Sequence, residues 1–269
     1  MSRIDDRLGQ LAEQGHKALI TYVVAGDPGV DETVDLLHAL VAAGVDVLEL
    51  GVPFSDPMAE GPVIQLAHER ALANGITLSR VLDIVATFRR QDQDTPLLLM
   101  GYANPVAYMG YAEFADAAAR AGVDALLTVD IPPEEARPVT QQLQRVGMNT
   151  IFLVAPTTPD ERIAAIAEQA SGFIYCVSLK GVTGAGHLDI QSVKTLVGRI
   201  KQASPLPVAV GFGIRDGASA RAIATAADGV VVGSALVDVV KCTLAEGGSW
   251  PDARSAAVKL IEEIRSGLD

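Results

Sequence analysis

Two glutamates lie eleven residues apart in the segment 47-VLELGVPFSDPMAEGP-62, and their surroundings differ. Glu49 stands between Leu48 and Leu50 in an apolar run, where burial penalises the charged form of a carboxyl group. Such a carboxyl either has a basic partner, or its pKa is raised so that it exchanges a proton near neutral pH. The sequence leaves both interpretations of Glu49 open. Glu60 follows in a proline-rich loop, where acids are usually solvated.

A glycine-rich segment later in the chain also indicates chemistry. The segment 180-KGVTGAG-186 contains three glycines and Thr183, and amides in such a loop can approach a ligand closely. A lid over a site and an ordinary surface turn both fit this composition. Lys180 is ambiguous as well: it is either a solvated charge or an imine-forming residue of an aldolase. Borohydride trapping with substrate separates the two, because only an imine leaves a stable adduct on Lys180.

Two short glycine motifs, 211-GFG-213 and 233-GSA-235, follow the last two apolar runs of the chain. In a barrel of alternating strands and helices, the loops after the last two strands commonly hold a phosphate group. Glycine amides and the positive end of a short helix bind the anion there, so no cluster of basic side chains is needed. The placement of these motifs favours a phosphorylated substrate.

The elements that position these residues follow a regular pattern, in which apolar runs rich in β-branched residues alternate with longer helical segments. The eight runs are 18-ALITYVV, 45-VDVLEL, 97-LLLMGY, 123-VDALLTV, 149-NTIFLVA, 173-FIYCVS, 207-PVAVGF and 229-GVVVGS. Glycine or Pro/Asp pairs lie near the ends of several helical segments. The pattern predicts an α/β fold, a (β/α)8 TIM barrel, whose active site lies at the carboxyl ends of the strands.

One domain over residues 1–269 is predicted, with an extra amphipathic helix ahead of the repeating units. Ile4, Leu8 and Leu11 recur at the spacing of one helical face and define this helix. An open doubly wound sheet is the alternative architecture, but 25-AGDPG follows the first strand where that fold has G-x-G-x-x-G. No Gly/Ser-rich linker divides the chain.

Composition limits the partners and the compartment. The formal net charge of −12 argues against nucleic acid or an anionic membrane as the main partner. The start of the chain lacks the apolar core of a signal peptide, and no run of eighteen apolar residues follows, which predicts a cytoplasmic protein. Cys176 and Cys242 lack metal-ligand spacing, and so do the histidines at 16, 38, 68 and 187, so no metal is expected.

Five motifs together resemble one family, the α subunits of tryptophan synthase. They are 25-AGDP-28, 49-ELGVPFSDPMAEGP-62, 101-GYANP-105, 180-KGVTGA-185 and 211-GFGI-214, and they occur in the family's order. The resemblance covers essentially the whole chain. It implies a (β/α)8 lyase that splits indole-3-glycerol phosphate into indole and glyceraldehyde 3-phosphate without a metal or an organic cofactor.

The resemblance also implies roles for the two glutamates. Glu49 matches the family's acid–base residue, which protonates C3 of the indole and removes a proton from the glycerol hydroxyl. Glu60 stands where many members have an aspartate that accepts a hydrogen bond from the indole N–H. Glutamate keeps the charge but is one methylene longer, so either the loop shifts or the side chain folds back.

Further residues are assigned by the resemblance alone. Thr183 matches a lid threonine that helps to position Glu49 when the loop closes. The phosphate-binding pattern falls on Gly184, Gly213, Gly233 and Ser234. Residues at or near the indole pocket are Tyr22, Met100, Tyr102, Leu127, Val129, Leu153, Tyr175 and Phe212, and each of them also fits plain barrel core.

The family implies a partner, the β subunit of tryptophan synthase, in an α2β2 heterotetramer. That subunit carries the pyridoxal phosphate and receives the indole through a tunnel. The residues that would face it are Pro53, Asp56, Asn104, Pro105 and Pro132. A subunit that binds a phosphorylated ligand without catalysis remains an alternative, because Glu60 departs from the familiar aspartate.

Overall fold

The computed structural model describes residues 2–177, 190–211 and 213–269. Four of the predicted site residues therefore lie outside the described residues: Lys180, Thr183, Gly184 and Phe212.

Eight parallel strands close into a barrel in which each strand pairs with its neighbours in sequence and β1 pairs with β8. The strands are β1 Ala18–Val24, β2 Val47–Gly51, β3 Leu97–Gly101, β4 Ala125–Thr128, β5 Asn149–Val154, β6 Ile174–Val177, β7 Val208–Gly211 and β8 Gly229–Val232. Seven of the eight predicted runs contain their strand and the run at 45–50 stops one residue short of the end of β2, so the predicted (β/α)8 barrel is confirmed and the open sheet is excluded.

The described part of the chain contains twelve helices. They are α1 Arg3–Gln14, α2 Val30–Ala42, α3 Pro62–Ala73, α4 Leu78–Phe88, α5 Ala103–Met109, α6 Tyr111–Ala121, α7 Arg137–Arg145, α8 Asp160–Gln169, α9 Ile190–Ala203, α10 Gly217–Ala224, α11 Ser234–Ala245 and α12 Trp250–Leu268. None of them alone is long and apolar enough to cross a membrane; α3 and α4 reach that length and composition only jointly, across a 94° bend.

The predicted N-terminal helix is α1, and it packs across the amino-terminal end of the barrel. Ser2 and Asp5 form a capping box at its start, which satisfies amides that a helix terminus otherwise leaves unpaired. Ile4, Leu8 and Leu11 are buried, as the helical spacing predicts. The polar side of α1 reaches the barrel through Arg3, which binds Asp124 just before β4.

Three aspartates at this end connect neighbouring strands. Each precedes a strand and accepts a hydrogen bond from a backbone amide at the start of the strand before it. Each also binds one or two basic side chains: Asp46 binds Arg7 and Arg265, Asp124 binds Arg3 and Arg89, and Asp228 binds Lys201. The amino-terminal end is therefore held by charged hydrogen bonds, whereas the glutamates of the opening segment lie toward the other end.

A cavity of about 470 Å³ opens at the same amino-terminal end, between α1 and the turn that precedes β7. Its polar lining includes Lys17 and Lys201. Both ammonium groups already have partners, since Lys17 donates to the Ala227 carbonyl at 2.8 Å and Lys201 to Asp228 at 2.7 Å. The cavity shares no lining residue with the site around Glu49.

Candidate active site

Glu49 lies on the inner face of the barrel together with the residues predicted for the indole pocket. Glu49 is in register with Tyr22 on β1 and Leu98 on β3, and residues two positions apart on a strand share a face. The register continues around the barrel through Met100, Leu127, Leu153 and Tyr175. Tyr102 and Val129 follow at the same two-residue spacing. The described members of the sequence-predicted set thus share one face, and Phe212 lies outside the described residues.

The carboxyl group of Glu49 is fully buried. Among the residues that the structure describes, neither of its oxygens has a hydrogen-bond partner. Burial, and secondly the charge of Glu60, raise the pKa of Glu49 to about 8. Of the two interpretations left open by the sequence, the described residues therefore support a tuned proton carrier rather than a salt-bridged structural acid. A carboxyl with this pKa holds its proton at neutral pH and can still release it.

The raised pKa of Glu49 makes stability depend on pH. In the unfolded chain this carboxyl ionises near pH 4.5, whereas the native protein keeps the proton until about pH 8. Between these values the native state binds more protons, so the free energy of unfolding falls as pH rises. We expect Glu49→Gln to remove this decline. Its stability relative to wild type should rise from pH 4.5 to 8 by at most on the order of 5 kcal/mol.

Urea denaturation of both proteins at pH 5, 6, 7 and 8 measures this effect. The two unfolding curves should move apart in the predicted direction as the pH increases. A constant difference across the series would show that Glu49 ionises in the native protein as it does in the unfolded chain.

Glu60 is also buried, so the expectation of a solvated loop acid is wrong. The Tyr102 hydroxyl donates a hydrogen bond to its carboxylate and accepts one from the Ala59 amide at 2.9 Å. Gln65 of α3 donates to the Glu60 carbonyl at 2.9 Å and so holds the loop backbone. Burial raises the pKa of Glu60, and the hydrogen bond from Tyr102 partly opposes that shift. The longer side chain is thus accommodated by burial against Tyr102.

Two tyrosines reach over glycines inside the barrel. A methyl group built on Gly51 would lie 2.2 Å from the Tyr22 hydroxyl, and one on Gly211 would lie 2.2 Å from that of Tyr175. Only glycine leaves room for a phenol at these places. Burial is the main cause that raises the pKa of both tyrosines, and the charge of Glu49 adds to it. Both phenols therefore stay protonated beside Glu49.

His68, to which the sequence assigned no role, belongs to this site. Its Nδ1 accepts a hydrogen bond from the Phe54 amide at 3.0 Å, and its Nε2 lies 3.1 Å from the Tyr22 hydroxyl. Burial lowers its pKa to about 4, so the ring is neutral at pH 7. Since Nδ1 is an acceptor, the proton is on Nε2, which donates to Tyr22. The helical spacing of the sequence could have indicated that His68 is buried, because residues 64, 67, 68 and 71 share the buried face of α3.

The predicted phosphate-binding residues that are described lie at the carboxyl ends of the last two strands. Gly213 follows β7 with φ of 82°, a backbone conformation that favours glycine. Gly233 follows β8 and precedes α11, and Ser234 is the first residue of that helix. The N-cap residue of α11 is Gly233, which has no side chain to cap the first amides, so these amides can point at an anion.

The predicted partner-facing residues differ in exposure. Asp56 and Asn104 are exposed, and Pro105 and Pro132 are partly exposed. Pro53 is buried in its own chain, so it offers no surface to a partner. Two apolar side chains that the sequence did not single out are strongly exposed near these residues along the chain: Met58 at 85% and Tyr108 at 94%.

The described residues contain no group of three or more His, Cys, Asp or Glu that could hold a metal ion. Cys176 is buried in β6, and burial raises the pKa of its thiol to about 12. This thiol is therefore inert, as its apolar surroundings predict.

Comparison with known proteins gives one family. The family model described as "Tryptophan synthase alpha chain" matches residues 8–263. The tryptophan synthase alpha chain of Laribacter hongkongensis is 58% identical over 269 residues, which are 100% of both chains. That of Marinobacter nauticus is 54% identical over 270 residues, covering 100% of this chain and 98% of the relative.

A solved structure agrees with these relatives. The crystal structure of tryptophan synthase subunit alpha from Legionella pneumophila superposes with a TM-score of 0.92 at 43% identity. The match covers 100% of this chain and 99% of that one. With a family model, full-length relatives and a full-length structure in agreement, this chain belongs to the tryptophan synthase alpha chain family.

Proposed function

We propose that Glu49 is the acid–base residue with which this chain performs the lyase reaction of its family, the cleavage of indole-3-glycerol phosphate to indole and glyceraldehyde 3-phosphate. One observation carries the assignment: Glu49 is fully buried on the inner face of the barrel and has a pKa of about 8. Cleavage requires a proton on C3 of the indole and removal of a proton from the glycerol hydroxyl. One carboxyl that is protonated at pH 7 can donate the first and then accept the second.

Glu60 is proposed to accept the indole N–H. Protonation at C3 leaves positive charge on the ring nitrogen, and a carboxylate beside that nitrogen stabilises it. Tyr102 donates to one oxygen of Glu60, which leaves lone pairs on the other oxygen for the substrate. The burial of Glu60 keeps this interaction out of bulk water, where it would be weaker.

The inner face supplies the rest of the proposed pocket. Tyr22, Met100, Leu127 and Tyr175 are buried side chains around Glu49 and would contact the flat indole ring. Tyr102, Val129 and Leu153 continue this wall, and Phe212 is assigned by family resemblance. Gly213, Gly233 and Ser234 at the last two strand ends would bind the phosphate, with Gly184 added by resemblance. Thr183 is proposed as the lid threonine, also by family resemblance.

The chain needs no cofactor for this reaction, because the pyridoxal phosphate of the enzyme belongs to the β subunit. We propose that residues 1–269 act as one domain in an α2β2 assembly with that subunit, in the cytoplasm where amino acids are made. The partner would contact Asp56, Asn104, Pro105 and Pro132. The buried Pro53 would stiffen the loop rather than touch the partner.

Indole release from indole-3-glycerol phosphate by the purified full chain, with and without a β subunit, tests the proposal. The expected result is release that the partner enhances. Binding of the substrate without any release, even with the partner present, would contradict it and favour a regulatory subunit. Borohydride treatment during turnover should leave no adduct on Lys180, because no imine is formed.

The exposed side chains of Met58 and Tyr108 predict where the β subunit binds. Met58 follows β2 and Tyr108 follows β3, near the predicted contacts Asp56 and Asn104 along the chain. We expect Met58→Asp or Tyr108→Asp to weaken the complex by about 10-fold or more, because a charge would have to be desolvated in the interface.

Titration calorimetry with the β subunit measures the affinity. Leu66→Asp is the matched control, since Leu66 is an exposed apolar residue on α3, outside the loop that carries Met58 and the helix α5 that carries Tyr108. Indole release by the isolated variants should match wild type. Unchanged affinity in both variants would place the partner on another surface.

A further inference from the structure

One buried imidazole connects the barrel wall with the loop after β2. His68 is on α3, and its ring bridges Tyr22 on β1 and the backbone of Phe54 in the loop after β2. The ring is 1% exposed, and both of its nitrogens are used. A ring with two fixed hydrogen bonds sets the distance between the barrel wall and this loop.

The contacts continue from the loop to the carboxylate of Glu60. The Phe54 ring stacks on Tyr102, with ring centroids 4.8 Å apart and planes inclined by 24°. Tyr102 in turn donates to Glu60 and accepts from the Ala59 amide. A displacement of Phe54 would therefore move the ring that fixes Glu60, and a displacement of His68 would move Phe54.

We propose that His68 is a positioning residue for this reaction, acting on Glu60 through Phe54 and Tyr102, while its hydrogen bond to Tyr22 anchors the ring to the barrel wall. This inference rests on the proposed function for its effect on turnover. It does not require His68 to touch the substrate or to exchange a proton. Its role is to hold the loop so that Glu60 and the Tyr22 hydroxyl keep fixed places relative to Glu49.

Three substitutions separate the two contacts of the ring. His68→Leu removes both, and we expect kcat to fall by about 10- to 100-fold, because a partly buried amide and a buried hydroxyl lose their partner. His68→Asn keeps an acceptor near the position of Nδ1 and should retain the Phe54 contact. His68→Gln places its polar end near Nε2 and should retain the Tyr22 contact. If the route to Glu60 dominates, the asparagine variant keeps most of the activity and the glutamine variant does not.

A double-mutant cycle with Glu60→Ala tests the route. If His68 acts through Glu60, His68→Leu lowers kcat by less than about 3-fold in the Glu60→Ala background. An equal loss in both backgrounds would overturn the proposal, since His68 would then act independently of Glu60. His38→Leu is the control, because His38 is a partly buried histidine that packs on Phe88 and contacts neither glutamate.

A second measurement does not depend on activity. Amide hydrogen exchange of residues 54–59 in the full chain should accelerate by about 10-fold or more in His68→Leu, and His68→Asn should restore most of the protection. Unchanged exchange of the Ala59 amide would overturn the proposal even if the variant were inactive. If His68→Leu accelerates exchange but the wild-type chain releases no indole, the positioning role of His68 is upheld and the proposed function is overturned.

Discussion

Glu49→Gln is expected to lower kcat for indole release by about 10³-fold or more. Glutamine fills the same volume in the fully buried position and so preserves the pocket. It cannot give a proton to C3 of the indole or take one from the glycerol hydroxyl. Substrate binding should remain, because the phosphate and ring contacts come from other residues. Stopped-flow and steady-state assays with the β subunit present separate the loss of kcat from any change in affinity.

The length of the side chain matters as well as its charge. Glu49→Asp keeps a carboxyl group but withdraws it by one methylene, and displacements of about 1 Å at a reacting centre cost on the order of 10²-fold. Aspartate should therefore recover only part of the activity that glutamine loses. Glu13→Gln, at an exposed position on α1, is the matched surface control. Near-normal turnover in Glu49→Gln would show that this carboxyl does not carry the proton transfers and that another group does.

The barrel itself could be predicted from the sequence because it depends on local patterns. A run such as 18-ALITYVV has the length and composition of a buried parallel strand, and β1 spans those same residues. Side chains alternate along each strand, so the residues that share the inner face follow directly from the strand positions. Glu49 was therefore recognisable as an acid at an unusual place before any contact was known.

The rest of the site depends on contacts between distant residues, which local patterns do not contain. Glu60 is a loop acid by sequence, but the fold buries it beside Tyr102, 42 residues away, which donates a hydrogen bond to it. His68 has two partners that its local sequence does not reveal, one of them 46 residues away. Pro53 was assigned to the partner surface by family resemblance, yet its own chain covers it.

The two ends of the barrel use carboxylates in opposite ways. At the carboxyl end, Glu49 has no basic partner among the described residues, and its pKa is raised. At the amino end, Asp124 binds Arg3, Arg89 and the Leu97 amide, each at 2.8 Å. The first arrangement destabilises the charged form and makes the proton mobile. The second stabilises the charge and contributes to the fold.

Asp124→Ala should therefore destabilise the protein strongly while it leaves catalysis intact. Removing one partner of a buried ion pair costs about 3–5 kcal/mol, because the remaining charge stays buried without compensation. Arg89 is such a charge, since it is only 5% exposed, and burial already lowers its pKa. The backbone amide of Leu97 would lose its acceptor at the same time. Urea denaturation at pH 7 measures the loss.

The surface pair of Asp116 and Arg145 provides the matched control. Their side chains lie 2.7 Å apart, as close as those at Asp124, but each is nearly half exposed. Solvent screening limits such a pair to less than about 1 kcal/mol, so Asp116→Ala should hardly change the unfolding curve. In native buffer, kcat per folded molecule should be equal to wild type in both variants, because Asp124 lies at the end opposite Glu49. A fall in kcat without a fall in stability for Asp124→Ala would show that the two ends are coupled, contrary to the division of roles between them.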